Sequence, residues 1–476
     1  MTPSQEQPWS PLLTAELDQV DRPAVTIAGA TMTRGDLFGA ASVVAQRVRG
    51  ADAAAVDATP SVETIVATLG CLLAGVPVVP VPPDSGVVER RHILNDSGAT
   101  IWLGDRPEDS SVEHVPVDAT ERVDPSSEVI PSDATALVMY TSGTTGPPKG
   151  ARISHRAIAA CLDGLADAWD WTVDDVLVHG LPLFHVHGLV LGVLGALRVG
   201  SPLVHTGKPT PEGYARAVER DAGSLLFGVP TVWSRIASDP TCARTLGAAR
   251  LLVSGSAPLP IPVREALAAR SGQVPVERYG MTETLITLAQ RHDRPRRPGS
   301  VGVPLPGVDA RIVGEDGTVV PADGTTSGDL QVRGSTLFDG YGNRPATLDA
   351  DGWFSTGDVA TVDETGEYRI VGRAATDLIK SGGYRIGAGE IEDSLLGFGT
   401  VREVAVVGIA DDDLGQRIVA FVVTEDGLPG DPDALIDHVA KELSRHKRPR
   451  EIRFVDSLPR NSLGKVQKRL LVPGSR

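Results

Sequence analysis

Tyr140-Thr141-Ser142-Gly143-Thr144-Thr145-Gly146-Pro147-Pro148-Lys149-Gly150 is the stretch from which the rest of the chain is best read. A short apolar run, Ala136 to Met139, leads into it and reads as a buried strand. Four hydroxyl side chains, two glycines and a lysine follow. Glycines let the backbone bend tightly and approach a ligand closely. Hydroxyls and exposed N–H groups surround phosphate oxygens, and the lysine adds a point charge. No G-x-x-x-x-G-K followed by Ser or Thr lies over the stretch, so it is not a Walker A loop. The plain alternative is a surface turn rich in Gly and Thr. Hydroxyls this dense, directly after a buried strand and closed by Pro148-Lys149-Gly150, favour a polyphosphate clamp.

On the N-terminal side, residues 20 to 130 alternate between helical and strand-like pieces. Arg34 to Val48 and Val62 to Ala74 have apolar residues at helical spacing, a strand is expected near 76 to 81, and His92 to Gly98 then Ala99 to Leu103 repeat helix then strand. Such alternation predicts an α/β fold with a mostly parallel sheet covered on both faces. On the C-terminal side, Arg156 to Trp169 reads as a helix. Asp175 to Leu181, Ser224 to Val229, Arg250 to Ser254 and Val274 to Arg278 read as strands whose C-terminal ends face a ligand crevice. From about residue 300 the texture changes to Gly/Asp turns between short strands, which predicts a small β-rich subdomain over 300–376. Residues 378–476 read as a separate, smaller α+β domain, with 1–376 as the large N-terminal domain and Asp377 at the hinge. Within the smaller domain, helices are expected at Glu390 to Leu396 and Ala434 to Leu443, and strands at Val401 to Ile409 and Arg417 to Thr424.

The bulk numbers limit the partners. A chain of 476 residues exceeds one ordinary core. A net charge of −16, with no basic stripe, argues against nucleic acid as the main partner. Cys71, Cys161 and Cys242 are far apart and odd in number, which fits neither a disulfide framework nor a zinc site and points to core positions in a reducing cytoplasm. The N-terminus lacks a signal pattern, and the longest apolar run, Leu189 to Leu197, is cut by glycines and too short to span a bilayer. No membrane partner is expected. The oligomeric expectation is a monomer or homodimer.

Four further motifs carry chemistry. Glu277-Arg278-Tyr279-Gly280-Met281-Thr282-Glu283 ends a predicted strand with an aromatic that can stack a base and a carboxylate that can hold a cation. Gly352-Trp353-Phe354-Ser355-Thr356-Gly357-Asp358 places a carboxylate in a turn, where it can accept both hydroxyls of a ribose. Asp377 to Arg385 contains adjacent glycines that allow backbone rotation. Leu458-Pro459-Arg460-Asn461-Ser462-Leu463-Gly464-Lys465-Val466-Gln467-Lys468 holds a lysine in a Gly turn, where it can neutralise charge during attack on a phosphate. Taken alone, each reads first as a turn, a linker or a solvated side chain. A fifth segment, Ser254-Gly255-Ser256-Ala257-Pro258, divides evenly between a tight turn and a ligand-lining turn.

In this order, and with the hydroxyl-rich loop, these motifs resemble those of AMP-forming acyl-CoA synthetases, the superfamily that includes adenylation domains and firefly luciferase. The resemblance spans nearly the whole chain. It implies an ATP site made by Thr141, Ser142, Gly143, Thr144, Thr145, Gly146 and Lys149, by Ser256, Ala257 and Pro258, by Glu277, Arg278, Tyr279, Gly280, Met281 and Thr282, and by Asp358, Arg373 and Lys465. Tyr279 would pack on adenine, Thr282 would contact phosphate, Asp358 and Arg373 would hold the ribose, and Glu283 would bind Mg²⁺. Lys465, Thr144, Glu283 and His185 would be catalytic. Asp377 would be the pivot, and Ser381, Gly382, Gly383, Tyr384 and Arg385 would line the path of CoA. Arg385, Lys447 and Arg448 would either meet CoA phosphates or remain solvated surface.

The candidate acid pocket is polar and cationic, with His185, His187, Arg235, Ser256 and Arg278 beside Met281. A second carboxylate on the substrate would suit an arginine, and an unpaired arginine against a fatty chain would be costly. Phe184 to Gly188, Glu277 to Thr284 and Val301 to Gly307 resemble malonyl-CoA and methylmalonyl-CoA synthetases. Leu285 to Leu288 departs from them by being apolar, and Arg291, Arg294, Arg296 and Arg297 form an extra basic stretch that reads as a solvated loop. The implied function is ATP-dependent ligation of a small dicarboxylic acid, malonate or methylmalonate, to CoA. Two rivals stand beside it. One is an adenylation enzyme for another small acid or one that loads a carrier protein; the other is a non-catalytic nucleotide-binding homologue.

Overall fold

The structure is a computed structural model. It describes all residues except 1–11, 14–19, 109–110, 125–128, 142–146, 375–376, 383, 426–427, 429, 461–465 and 473–476, and the side chain of residue 385.

Sequence-local signals set most helices. Arg34–Val48 starts where the Thr33 hydroxyl accepts from the Asp36 N–H, and Val62–Leu73 starts where Ser61 accepts from Thr64. Both match their sequence expectation to within a residue. The next helix, Val87–Ser97, begins five residues before the expected His92. Gly86 caps it without a side-chain hydrogen bond, so no cap residue marked its start.

Among the described residues, two large sheets organise the N-terminal region, of nine and eight strands. In the first, Val276–Met281, Leu251–Ser254, Leu225–Gly228, Leu177–His179, Leu203–His205 and Pro23–Ile27 run parallel in that spatial order. In the second, Thr135–Thr141, Val78–Val81, Ala54–Asp57, Ile101–Leu103 and Glu113–Val115 run parallel. Antiparallel strands close both edges of the first sheet and one edge of the second. The fold is mixed α/β, with a large parallel-rich N-terminal part and a smaller C-terminal part that contains its own sheet.

Alternation along single strands shows that the nine-stranded sheet is covered on both faces. Leu225, Phe227, Leu251 and Val253 enter a large core shared with Arg34–Val48, Val62–Leu73 and His155–Trp169. Their neighbours Leu226 and Leu252 enter a second core with the helices Pro211–Asp221, Pro230–Ser238, Pro240–Thr245 and Ile261–Ser271. Cys71, Cys161 and Cys242 are all free and buried, as expected.

Past residue 300, Val308–Val313, Gly328–Gly334, Phe354–Val362 and Tyr368–Arg373 form a four-stranded antiparallel sheet. Two pieces of this stretch leave it. Val303–Pro304 pairs with Leu285–Ala289, and Gly340–Tyr341 pairs with Lys149–Ser154, so the region is stitched to both large sheets. Leu378–Ser381, Tyr384–Gly387, Val401–Asp411, Gly415–Thr424 and Glu451–Phe454 form a separate five-stranded sheet. The helices Ala388–Leu396 and Pro432–Glu442 cover one of its faces.

One sequence reading gains its physical reason and one is corrected. Leu285 to Leu288, noted only as an apolar departure, is a fully buried strand that belongs to the core. The basic stretch is not a freely solvated loop. Arg291 pairs with Asp167 at 2.7 Å, Arg297 with Asp363 at 2.6 Å, and burial lowers the pKa of a half-buried Arg296 that donates to the Val274 carbonyl.

Candidate active site

The hydroxyl-rich loop joins two antiparallel strands, Thr135–Thr141 and Lys149–Ser154, with Thr141 opposite Lys149. Ser142, Gly143, Thr144, Thr145 and Gly146 lie outside the described residues. The roots of the loop are braced by the helix Val87–Ser97. The Tyr140 hydroxyl donates to Asp96 at 2.8 Å, and His92 Nε2 lies 2.7 Å from the Pro148 carbonyl oxygen. Gly150 is required here, because a Cβ would stand 2.8 Å from Val138 Cγ1 and 3.0 Å from the Tyr140 ring.

Across the strand ends, Arg278 is buried at 6 % exposure and lies against Gly255, where a Cβ would be 2.4 Å from the guanidinium carbon. Its Nη2 reaches Ser256 Oγ at 3.5 Å, Nε has no partner, and among the described residues no carboxylate pairs with it. Burial pulls its pKa down to about 10, so it remains charged at neutral pH. Ser256 has φ of +70°, a left-handed conformation unusual for a non-glycine residue. Strain beside an unpaired buried cation favours the ligand-lining reading of the turn over the plain one. Ala257 and Pro258 are exposed beside it.

Two histidines precede and open the π-helix Val186–Leu194. His187 is buried, and neither ring nitrogen has a partner. Burial holds its pKa well below the ordinary value, helped by Arg278, so the ring is neutral. Burial likewise lowers the pKa of His185 to about 4. Arg235 is exposed on Pro230–Ser238, where Trp233 and Ile236 take the buried face; among the described residues the Arg235 side chain has no partner.

The strand Val276–Met281 and its return, Leu285–Ala289, carry the next group. A Cβ on Gly280 would lie 1.8 Å from the Leu285 carbonyl oxygen, which explains glycine at this hairpin. Glu277 accepts from the Leu259 N–H, and burial raises its pKa to about 7. The Tyr279 hydroxyl donates to Asp358 Oδ2 at 2.5 Å, and Arg373 Nε pairs with Asp358 Oδ1 at 2.9 Å. Met281 and Thr282 are half-buried at the hairpin tip.

Glu283 is buried, and its Oε1 accepts from the Tyr341 hydroxyl at 2.5 Å. Lys149 Nζ stands 5.6 Å from the centroid of the same ring. Sequence reasoning passed over Tyr341. Its only signal was an aromatic between two glycines, Gly340 and Gly342, and it acquires its neighbours through strand pairing. Glu283 Oε2 bonds nothing among the described residues, which suits one free carboxylate oxygen for Mg²⁺. No group of three or more acidic, His or Cys ligands occurs among the described residues, so a metal here would take its remaining ligands from phosphate oxygens and water.

At the junction with the small sheet, Asp377 Oδ2 accepts from the Arg373 N–H, and Oδ1 pairs with Lys468 at 3.0 Å. Lys468 also meets Glu392 at 2.8 Å. Lys465 lies outside the described residues, as do Gly383 and the side chain of Arg385. Ser381 is buried, Gly382 has φ of +56°, and Tyr384 stacks on His446 at 4.2 Å. Lys447 is no free cation, since Glu390 pairs with it.

The architecture, with its parallel-rich large part and a small sheet beyond Asp377, matches that of adenylation-domain superfamily structures. The chain belongs to the AMP-binding enzyme family, which matches residues 14–342, and the AMP-binding enzyme C-terminal domain matches 390–465. It is similar to the mitochondrial malonate–CoA ligase ACSF3 of Mus musculus, 38 % identical over 380 residues, with 71 % of this chain and 64 % of that protein covered. The chain thus spans less than two thirds of that relative's length. The malonate–CoA ligase of Arabidopsis thaliana is 32 % identical over 472 residues, covering 87 % of this chain and 76 % of the relative. Among solved structures, a malonyl-CoA ligase ternary product complex with methylmalonyl-CoA and AMP bound is 49 % identical, with a TM-score of 0.72, covering 94 % of this chain and all of that one (100 %). ATP-bound MatB from Rhodopseudomonas palustris is 32 % identical, with a TM-score of 0.89, covering 96 % and 97 %.

Proposed function

We propose that this chain is an ATP-dependent, AMP-forming ligase that joins a small dicarboxylic acid, malonate or methylmalonate, to CoA. The buried, unpaired guanidinium of Arg278 carries this reading. An isolated buried charge is costly unless something pairs with it. The distal carboxylate of a short diacid supplies that partner, and the neutral His187 beside it supplies or accepts a further hydrogen bond. A fatty acyl chain supplies neither. The malonate- and methylmalonate-related names of the similar proteins agree with this chemistry.

In the first half-reaction the proximal carboxylate of the acid attacks the α-phosphorus of ATP. Pyrophosphate leaves, and an acyl-AMP remains. The hydroxyl-rich loop with Thr144 and Lys149 binds the triphosphate, Tyr279 lies along adenine, and Asp358 with Arg373 holds the ribose. Mg²⁺, held through Glu283, neutralises phosphate charge when bound. Lys465 steadies the carboxylate and α-phosphate. In the second half-reaction the CoA thiol attacks the acyl carbon, AMP leaves, and the thiol proton passes to solvent. Asp377 is the pivot between the two arrangements, and Ser381 to Arg385 guide pantetheine. A reducing compartment, with the cytoplasm as our reading, fits the three free cysteines.

The test is acid-dependent pyrophosphate release from ATP over malonate, methylmalonate, acetate and octanoate, with CoA thioester formation as the second readout. Malonate or methylmalonate should lead. A clear lead for octanoate sinks the dicarboxylate reading. Lys465→Ala should abolish adenylation while sparing thioester formation from supplied acyl-AMP, and full adenylation by that variant would remove the role of Lys465.

A further inference from the structure

The segment that presents Tyr341 is fastened on two sides. Gly340 and Tyr341 pair with Arg152 and Ala151 of the strand that leaves the hydroxyl-rich loop. The Phe338 N–H donates to the Glu283 carbonyl at 2.9 Å, and the Gly342 N–H donates to the Gly150 carbonyl at 3.2 Å. Buried Phe338 then meets the Tyr341 ring edge-on, 4.9 Å between centroids. Tyr341 therefore stands at a fixed place between a loop cation and a buried anion. Its hydroxyl takes one oxygen of Glu283, and its ring lies near the ammonium of Lys149. Among the described residues, no ion pair joins Lys149 to Glu283.

An ammonium and a buried carboxylate this close to one ring would ordinarily attract each other directly. A direct pair would cancel the charges needed to receive a metal-bound triphosphate. A phenol hydroxyl satisfies a carboxylate oxygen without cancelling its charge, and an aromatic ring attracts a cation without neutralising it. We propose that Tyr341 is a positioning residue that holds Lys149 and Glu283 apart, so that the triphosphate site stays charged and open before nucleotide arrives. The proposal rests on the reading of Lys149 and Glu283 as triphosphate and metal ligands.

The test compares wild type, Tyr341→Phe, Tyr341→Leu and Tyr341→Leu with Glu283→Gln in the full chain. Calorimetry measures binding of a non-hydrolysable ATP analogue with and without Mg²⁺, and thermal melting checks the fold. Tyr341→Phe keeps the ring and should leave metal-free affinity near wild type. Tyr341→Leu frees Lys149 to fall onto Glu283 and should weaken metal-free binding by about tenfold, the size expected for losing roughly one ion-pair contact. Adding Glu283→Gln removes the trap and should restore that affinity. A merely structural Tyr341 would not be rescued by a change at Glu283. Unchanged metal-free binding in Tyr341→Leu, or a loss that Glu283→Gln leaves in place, overturns the proposal. A wild-type chain that binds no nucleotide at all overturns the underlying reading as well, and the wild-type arm separates the two.

Discussion

Arg278 is a place where stability and the proposed chemistry pull against each other. Its identity and its position at a strand end were legible in the sequence, although the strand runs on to Met281, and so was its fitness for a carboxylate. Its lack of a partner was not, because pairing depends on which strands become neighbours. Only the fold brings Gly255 and Ser256 against its guanidinium and leaves Nε alone. The same limit hid Tyr341, and it hid the double use of Asp358 by Tyr279 and Arg373. Arg278→Met keeps much of the buried volume and removes the uncompensated charge. The ligand-free variant should be as stable as wild type or more stable by about 1–3 kcal/mol, as for other replacements of buried ions by apolar groups. Its kcat/KM for malonate should fall by roughly a hundredfold or more, the size expected when a charged substrate group loses its buried partner, with acetate affected far less. Thermal melting and a two-acid comparison check both halves. A variant that melts lower and treats the two acids alike would contradict the assignment of Arg278 to the distal carboxylate.

Among the elements, those with a cap or a periodic face were the readable ones. His155–Trp169 is bounded by a Ser154 side chain that accepts from the Ala157 N–H and by Asp170 in the left-handed region, and its reading fell within a residue of its observed start. The π-helix Val186–Leu194 escapes, although the apolar run Leu189 to Leu197, cut by glycines, overlaps it. A segment apolar all round carries no period from which one helix type can be told from another. The glycines are the structural signal. A Cβ on Gly188 would lie 2.1 Å from the Pro182 carbonyl oxygen, one on Gly192 2.2 Å from His179 Nε2, and one on Gly195 2.7 Å from the Trp171 ring. The π-helix and Gly195, which opens the next helix, are therefore pressed against three separate walls, with His187 in the first turn beside Gly188. Gly192→Ala must displace His179, itself packed 4.7 Å from His205. Overpacking of this kind should cost about 1–3 kcal/mol in urea unfolding. KM for the acid should rise through the shift of His187, while nucleotide affinity stays near wild type. A variant with normal stability and normal KM would mean that the π-helix tolerates outward movement here.

For the whole molecule, the alternating βα pattern made the two covered sheets legible, while the contact between the large and small parts was not. The helix Ala388–Leu396 packs on Ile261–Ser271 and on Tyr368–Arg373, and the Lys468 ammonium bridges Asp377 and Glu392. Nothing local in the sequence announces such pairings, because most of them join segments about 75 to 130 residues apart. This contact carries a pH dependence whose sign follows from two carboxyls. Burial, with Glu392 and Glu390 nearby and Arg369 opposing them, raises the pKa of Asp393 to about 7. Burial raises that of Glu277 to about 7 as well, and Asp393 is one of the charges that push it up. A carboxyl whose pKa is raised in the packed arrangement binds its proton more tightly there than when solvated. Packing is therefore favoured most below the solvated carboxyl range and loses stability as pH rises toward the packed value of about 7, after which the loss is complete. Solvation of Asp393 on separation of the two parts should move the equilibrium toward the separated form between roughly pH 4 and roughly pH 7. Small-angle scattering, or energy transfer between a dye on each part, should report a larger mean separation at the higher pH. Asp393→Asn removes the ionisable group while keeping a polar side chain of the same size, and it should flatten most of the response and favour packing at high pH. If Asp393→Asn kept the full wild-type pH response, the response would arise elsewhere, and Glu277→Gln would be the next variant to separate the two carboxyls.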